Sequence, residues 1–334
     1  MTIRDLLAAA LSSAAVLALA PAAASAQPSF DHVYVVVMEN QSFDDIIGRD
    51  RVNPSNGNIE GPDTPYITTL ATQSSGMAEL YFGVTHPSLP NYLAMIAGDY
   101  FGIQDDNDSC FAKPPPGPGC HAINGTNLVD SLESAGMTWT VLEQSMPRPG
   151  FLGDSWPKSA NPRLYAQKHN PFVYFTDIAS NSTRLSHIIP LTSTTLQQTL
   201  ASPPTFTYIV PNQCHDMHGT TTCTSFDGLL REGDRTVQSL VTAITGSAGF
   251  TARSVIFVVW DEDDYSSKFG CCSSKPHRGG GHTLALVVDQ NHTWRASALP
   301  MNHYSMLKTI EEGLGLPLLR HSADSDVLDM SSLL

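Results

Sequence analysis

Positive charge is scarce in this 334-residue chain: 18 Lys and Arg stand against 32 Asp and Glu, a formal net charge of −14. The average field of such a chain repels a polyanion, which argues against a nucleic-acid partner. Charge of either sign is also scarce, at 15% of residues against the roughly 25% usual in soluble domains, so Ser, Thr, Asn and Gln must carry much of the surface. That composition suits an extracellular protein. Beyond the N-terminus there is no long apolar run, no repeat of roughly 20 to 50 residues and no Ser/Gly-rich or charged linker. These absences exclude stable membrane insertion by a helix, a solenoid and a string of tethered domains. The Cys-x-x-Cys spacing of a thiolate zinc site is missing as well.

What is present begins with a targeting signal. Arg4 precedes an apolar stretch from Leu6 to Ala20, and Ala24-Ser25-Ala26 supplies the small residues of a cleavage site, so residues 1–26 read as a secretory signal peptide and 27–334 as one catalytic domain. The expected location is secreted or periplasmic. In that oxidising setting the cysteines pair as neighbours: Cys110 with Cys120 and Cys214 with Cys223, leaving the adjacent Cys271 and Cys272 as the doubtful pair. Asn-x-Ser/Thr triplets start at Asn40, Asn107, Asn124, Asn181 and Asn291, and Asn40 has a better use.

The 41% of hydrophobic residues, broken by 24 Gly and 23 Pro, can build a sizeable core with many turns. Runs rich in Val, Ile, Tyr and Phe at 32–38, 138–142, 206–210, 255–260 and 283–288 lack polar alternation, as strands buried on both faces do. Helical stretches at 89–97, 128–135, 235–245 and 304–314 lie between or after them. This alternation predicts an α/β layered fold with a largely parallel central sheet flanked by helices.

Ligands of parallel sheets lie beyond the carboxyl ends of the strands. Three apolar runs end in chemistry there: Glu39-Asn40 after the first, Cys214-His215-Asp216-Met217-His218 after the third, and Asp261-Glu262-Asp263-Asp264 after the fourth. Glu39, Asn40, Asp216, Asp261 and Glu262 offer mainly oxygen ligands, which suit a divalent cation such as Mg²⁺, Ca²⁺ or Mn²⁺ better than thiolate-bound zinc. The plainer alternative makes Glu39 a helix cap and 261–264 a solvated acidic turn. His215 and His218 can serve as acid, base or phosphate-orienting groups. Ser88, in Thr85-His86-Pro87-Ser88-Leu89-Pro90-Asn91, opens a helical stretch, where backbone N–H groups favour an alkoxide or a phosphate oxygen. It is either a nucleophile or an ordinary helix cap. His86, His169, His282 and His303 are weaker candidates, and Arg278 beside Gly279–Gly281 is a candidate anion contact without the Lys-Ser/Thr ending of a P-loop.

Taken in order, the segments 36–45, 85–92, 169–172, 211–218, 260–264 and 303–312 resemble the bacterial phosphoesterase family of secreted acid phosphatases and phospholipases C. The resemblance spans almost all of the mature chain and implies an alkaline-phosphatase-like fold. It implies Ser88 as nucleophile with Thr85 in reserve, Asn91 on a phosphate oxygen, Glu39, Asn40, Asp261 and Glu262 at a metal, and His86 and His282 in lesser roles. Glu262 replaces the His of the related nucleotide pyrophosphatases, which favours one oxygen-rich metal site over a two-zinc centre. The expected activity is that of a metal-assisted acid phosphatase cleaving small phosphate monoesters through a phosphoseryl intermediate, with the metal being Ca, Mg, Mn or Zn. The alternatives are a phospholipase C acting on a phospholipid headgroup and a non-catalytic secreted protein of the same fold. Phospholipases of this resemblance usually carry further C-terminal domains, and the chain ends soon after His303, which favours the phosphatase.

Overall fold

The computed structural model describes residues 29–47, 50–52, 59–112, 117–158, 162–273, 279–291 and 293–334. The expected signal peptide at 1–26, and His277 and Arg278 of the glycine-rich segment, lie outside the described residues.

A nine-stranded sheet organises the chain. Its strands are β1 (His32–Met38), β2 (Gly76–Phe82), β3 (Trp139–Gln144), β4 (Ile188–Leu191), β5 (Phe206–Val210), β6 (Ser254–Trp260), β7 (His282–Asp289), β8 (Arg295–Ser297) and β9 (Met301–Asn302). They run in the order β8-β2-β7-β6-β1-β5-β3-β4, with β9 also beside β2. From β6 to β4 every neighbouring pair is parallel, whereas β7 is antiparallel to both β6 and β2. The sheet is thus largely parallel, as the apolar runs predict.

The run of β1 without polar alternation reflects cores on both faces. Val33, Val35 and Val37 enter one core and Tyr34, Val36 and Met38 the other, all with no exposed surface. Burial of each such side chain contributes about 1.5–3 kcal/mol. One face is covered by helices α1 (Ser88–Ala97), α2 (Leu128–Ser134) and α5 (His303–Leu314), the other by α3 (Ser193–Ala201) and α4 (Phe226–Thr245). Helix α4 is capped by Ser225, which accepts from Gly228 N, and begins nine residues before the stretch 235–245 expected from the sequence. Its Gly233 leaves room for Met217: a Cβ there would lie 2.4 Å from the Met217 side chain. Met217 in turn accepts from the Trp260 indole at 3.4 Å, so α4 fixes the turn beyond β5.

Three disulfides are present: Cys110–Cys120, Cys214–Cys223 and Cys271–Cys272. The first two are the neighbour pairs that the spacing favours, and the adjacent pair is bridged as well. No helix among the described residues is long and apolar enough to cross a membrane.

Candidate active site

The strands β6, β1 and β5 are parallel neighbours, so the residues just past their carboxyl ends emerge on one edge of the sheet. Backbone bonds continue past the strand ends: Asp261 N donates to Met38 O at 3.1 Å and Glu39 N to Asp216 O at 2.8 Å. Asn40, at a φ of +35°, turns the chain so that its own N–H reaches Asp261 Oδ1 at 3.0 Å and its side-chain amide reaches Glu262 Oε1 at 3.2 Å. The three sequence clusters are therefore one cluster, with Glu39, Asp216, Asp261 and Glu262 all fully buried.

Ser88 faces this cluster. The cap of α1 is Pro87, and Ser88 is the first helical residue, with its hydroxyl making no capping bond. That hydroxyl lies 3.1 Å from Glu39 Oε2, 3.3 Å from Glu262 Oε1 and 3.4 Å from Asn40 Oδ1, and accepts from Lys168 Nζ at 3.2 Å. The helix start is served from outside: Leu89 N donates to Asp106 Oδ1 at 3.0 Å. Asn91 holds the preceding turn, accepting from Val84 N and Thr85 N at 2.7 and 3.2 Å and donating to Thr85 O and Pro87 O at 2.6 and 3.2 Å. Its polar side-chain atoms are engaged within this turn, so it shapes the approach to Ser88. Thr85 spends its hydroxyl on His86 O at 3.3 Å.

Lys168 and His169 arrive from the 3₁₀ turn Gln167–His169. Burial pulls the Lys168 ammonium down, yet the carboxyl groups of Glu39, Asp106 and Asp261 outweigh it and keep it above its usual range. It also meets Asp106 Oδ2 at 3.2 Å and His218 Nε2 at 3.4 Å. His169 stacks on Tyr92 and brings Nε2 to 3.1 Å from Glu39 Oε1, with burial and then Lys168 and His218 holding its imidazole well below the usual range, hence neutral. Asp216 Oδ2 and Asp261 Oδ2 are buried without a hydrogen-bond partner among the described residues, and the approach of His169 Nε2 to Glu39 Oε1 lacks hydrogen-bond geometry. Ligand atoms of Glu39, His169 and His218 lie within 4.8 Å of one another, a group able to hold a metal ion. Unpartnered buried carboxylate oxygens and a neutral imidazole are what a divalent cation requires, so these residues fit one. The set differs from the sequence expectation. His169 and His218 join it, whereas Asn40 and Glu262 are already bonded to each other and to Ser88.

Burial lifts the carboxyls of Glu39, Asp216 and Asp261 above their ordinary range, and neighbouring carboxylates add to the rise. Glu262 is pushed up to about 7 by burial, against the opposing hydrogen bond from His86, whose Nδ1 lies 2.5 Å from Glu262 Oε2. Tyr265 stacks on the His86 ring with centroids 4.3 Å apart. Partial burial and then the charges of Glu262, Asp106 and Asp261 raise its phenol, so the half-exposed ring stands close to the acidic cluster. His303 braces the floor, with Nε2 donating to Asp261 O at 2.6 Å and Nδ1 meeting Tyr81 Oη at 2.9 Å.

Two expected histidines lie elsewhere. His215 turns away to Gln144 Oε1 at 2.9 Å and to Glu232, lining a cleft of about 530 Å³ between α3 and α4. The reason is local: Met217 has a φ of +84°, and the turn sends 215 and 218 to different sides. His282 meets Glu79 O at 2.8 Å and stacks on Phe43. The described glycines of the Gly-rich segment zip onto backbone, Gly280 N to Gly83 O at 2.8 Å and Gly281 N to Phe269 O at 3.0 Å. Sequence reasoning missed Lys168, Asp106 and Tyr265. The only signal for Lys168 was its place beside His169 in a matching segment.

A family model described as the Phosphoesterase family matches residues 54–317. The chain is 32% identical over 298 residues to a phosphatidylinositol-3-phosphatase of Mycobacterium tuberculosis, covering 88% of this chain and 80% of that one. It is 26% identical over 308 residues to a probable acid phosphatase of Kluyveromyces lactis, covering 90% of this chain but only 62% of the relative's length. Among solved structures, an alkaline phosphatase superfamily protein of Vibrio parahaemolyticus superposes with a TM-score of 0.55 at 11% identity, covering 90% of this chain and 71% of that one. That likeness shows the fold.

Proposed function

The chain belongs to the Phosphoesterase family and is a phosphoric-ester hydrolase; from that premise we propose that it is an acid phosphatase that cleaves small phosphate monoesters through a phosphorylated Ser88. The observation that carries the reading is the Ser88 hydroxyl, buried at the start of α1 between Glu39, Glu262 and the Lys168 ammonium. Glu262, whose Oε1 lies 3.3 Å from the hydroxyl, accepts the serine proton, and the Ser88 oxygen attacks phosphorus as the bond to the alcohol breaks. The departing alkoxide takes up that proton. Water then attacks the phosphoserine, the P–O bond to Ser88 breaks, and its proton returns to the Ser88 oxygen. Lys168 stabilises charge on the serine oxygen and on the phosphoryl group, with the dipole of α1 pointing its positive end the same way.

Glu39, His169, Asp216 and His218, with Asp261 alongside, would hold a divalent cation. When bound, such a cation supplies Lewis-acid stabilisation of phosphoryl charge. Asn91 sets the turn that aims Ser88, and His86 orients Glu262. The substrate is a small phosphate ester. Export is inferred from the N-terminal signal and accords with three disulfides; sequencing the exported chain should find Gln27 first.

The test is hydrolysis by the purified mature chain of a phosphate monoester and of a choline phosphodiester, with acid quench and mapping of the trapped phosphate. Monoester turnover with phosphate on Ser88 is expected. Turnover of the diester alone, or phosphate on another residue, would sink the assignment.

A further inference from the structure

We propose that Tyr265 is a stacking platform for the alcohol portion of the substrate, so that the site selects phosphate monoesters whose leaving group carries a flat aromatic or heteroaromatic ring. The inference rests on the Ser88 reading and adds the substrate class.

Tyr265 is 55% exposed, and one face of its ring is spent on His86, leaving the other face for a ligand. Its φ of +67° is unusual for a bulky residue, a backbone cost that persists only where the surroundings impose it. The surroundings do impose it. Asp263 Oδ1 accepts from Tyr265 N at 2.9 Å, and Asp263 Oδ2 accepts from Ser266 Oγ at 3.3 Å and Ser267 N at 3.0 Å. Ser267 O then meets His86 Nε2 at 3.1 Å, so loop and imidazole are locked together. The ring is therefore mounted, not loose, although more than half of it faces solvent.

Its distance from the chemistry is short in terms of side chains. Tyr265 lies on His86, His86 bonds Glu262 at 2.5 Å, and Glu262 lies 3.3 Å from the Ser88 oxygen. The alcohol of a monoester bound at Ser88 must leave this buried cluster toward solvent, and Tyr265, which touches His86 and Glu262 yet is more than half exposed, spans from the one to the other. A rigid, half-exposed aromatic there gives a planar group an offset-stacking partner at little entropic cost, and gives a short alkyl group almost nothing.

The experiment compares 2-phenylethyl phosphate with propyl phosphate, whose alcohols have similar acidity, on the unsubstituted enzyme and on Tyr265→Ala and Tyr265→Phe. Tyr265→Ala should lower kcat/KM for the phenylethyl ester about tenfold, as loss of one stacking contact predicts. It should lower kcat/KM for the propyl ester severalfold less, and Tyr265→Phe, which gives up the hydroxyl bonded to Glu262, should keep the phenylethyl-to-propyl ratio of the unsubstituted enzyme. Equal losses on the two esters in Tyr265→Ala would mean that the ring only braces His86, and would overturn the platform while leaving the Ser88 reading intact. Turnover of neither ester by the unsubstituted enzyme would overturn both.

Discussion

Lys168 donates its ammonium to the Ser88 hydroxyl across 3.2 Å, and Asp106 fixes that ammonium at the same distance. Asp106 also accepts from Leu89 N, so one carboxylate ties the helix start to the cation that faces the serine. A positive charge and a helix N-terminus thus bear on a single oxygen in an otherwise acidic cleft.

Ser88→Ala should lose nearly all monoester turnover while keeping its melting temperature, because Pro87 and not Ser88 caps α1. Thr85→Ala should lose far less, since its hydroxyl is turned to His86 O. A capping role would instead cost about 1 kcal/mol of stability and little activity. Hydrolysis rates and melting curves on both variants separate the two.

Lys168→Met should lower kcat by about 10²- to 10³-fold, the range found on removing one preorganised donor to a developing anion. Lys168→Arg should retain part of the activity, since it keeps the charge that faces Glu39 and Asp261. Steady-state kinetics with circular dichroism as a folding control checks this. A Lys168→Met enzyme of full activity would remove the residue from the mechanism.

The unpartnered oxygens of Glu39, Asp216 and Asp261 repel one another in a buried site. Exhaustive chelation should therefore lower both turnover and melting temperature, and a restoring cation at a hundred times its dissociation constant should return about 2.7 kcal/mol of stability. Ca²⁺, Mg²⁺, Mn²⁺ and Zn²⁺ are each added back, and His169→Gln should blunt the response. An unmoved melting temperature with no metal by elemental analysis would refute the cation site.

Glu311, remote from that cluster, is pushed up to about 8 by burial, against the opposing bonds from Ser322 and Leu319 N. A carboxyl raised in the folded state stabilises the fold fully below its unfolded value of 4.5, and this contribution is lost as pH rises toward 8. Glu311→Gln can still accept from Leu319 N, can donate to Ser322 Oγ once that hydroxyl donates to Leu319 O, and never ionises. It should raise the melting temperature by a few degrees at pH 7.5, leave it almost unchanged at pH 4.5, and flatten the slope between. A variant with the parent's slope would show that Glu311 does not govern it.

The central strands were legible because β1, β5 and β6 are buried on both faces, which leaves apolar runs without a polar gap. Strand β2 carries Glu79 in its middle, β4 contains Pro190, and α3 is built mostly from Ser, Thr and Gln, so none gives a periodic signal. In the site, the residues just past strand ends could be found because adjacency in sequence places them. Lys168 and Asp106 could not, since they come from turns whose position depends on how α1 and the 3₁₀ segment pack. His215 and His218 show the same limit at close range: three residues apart in sequence, they serve different faces because of one left-handed residue between them.

Asp263 takes three donors from its own loop, and its carboxylate lies where a side chain at position 281 would begin: a Cβ on Gly281 would fall 2.0 Å from it. That contact limits the routes by which the enzyme can evolve. Any residue larger than glycine at 281 dislodges the carboxylate, and with it the loop, His86 and the Glu262 bond, so drift at this position is closed. The Tyr265 side chain, more than half exposed, meets no such wall. New substrate ranges in this lineage should therefore arise by exchanging the side chain at 265 upon an unmoving loop, and a library randomised at 265 should keep folding far more often than one randomised at 281.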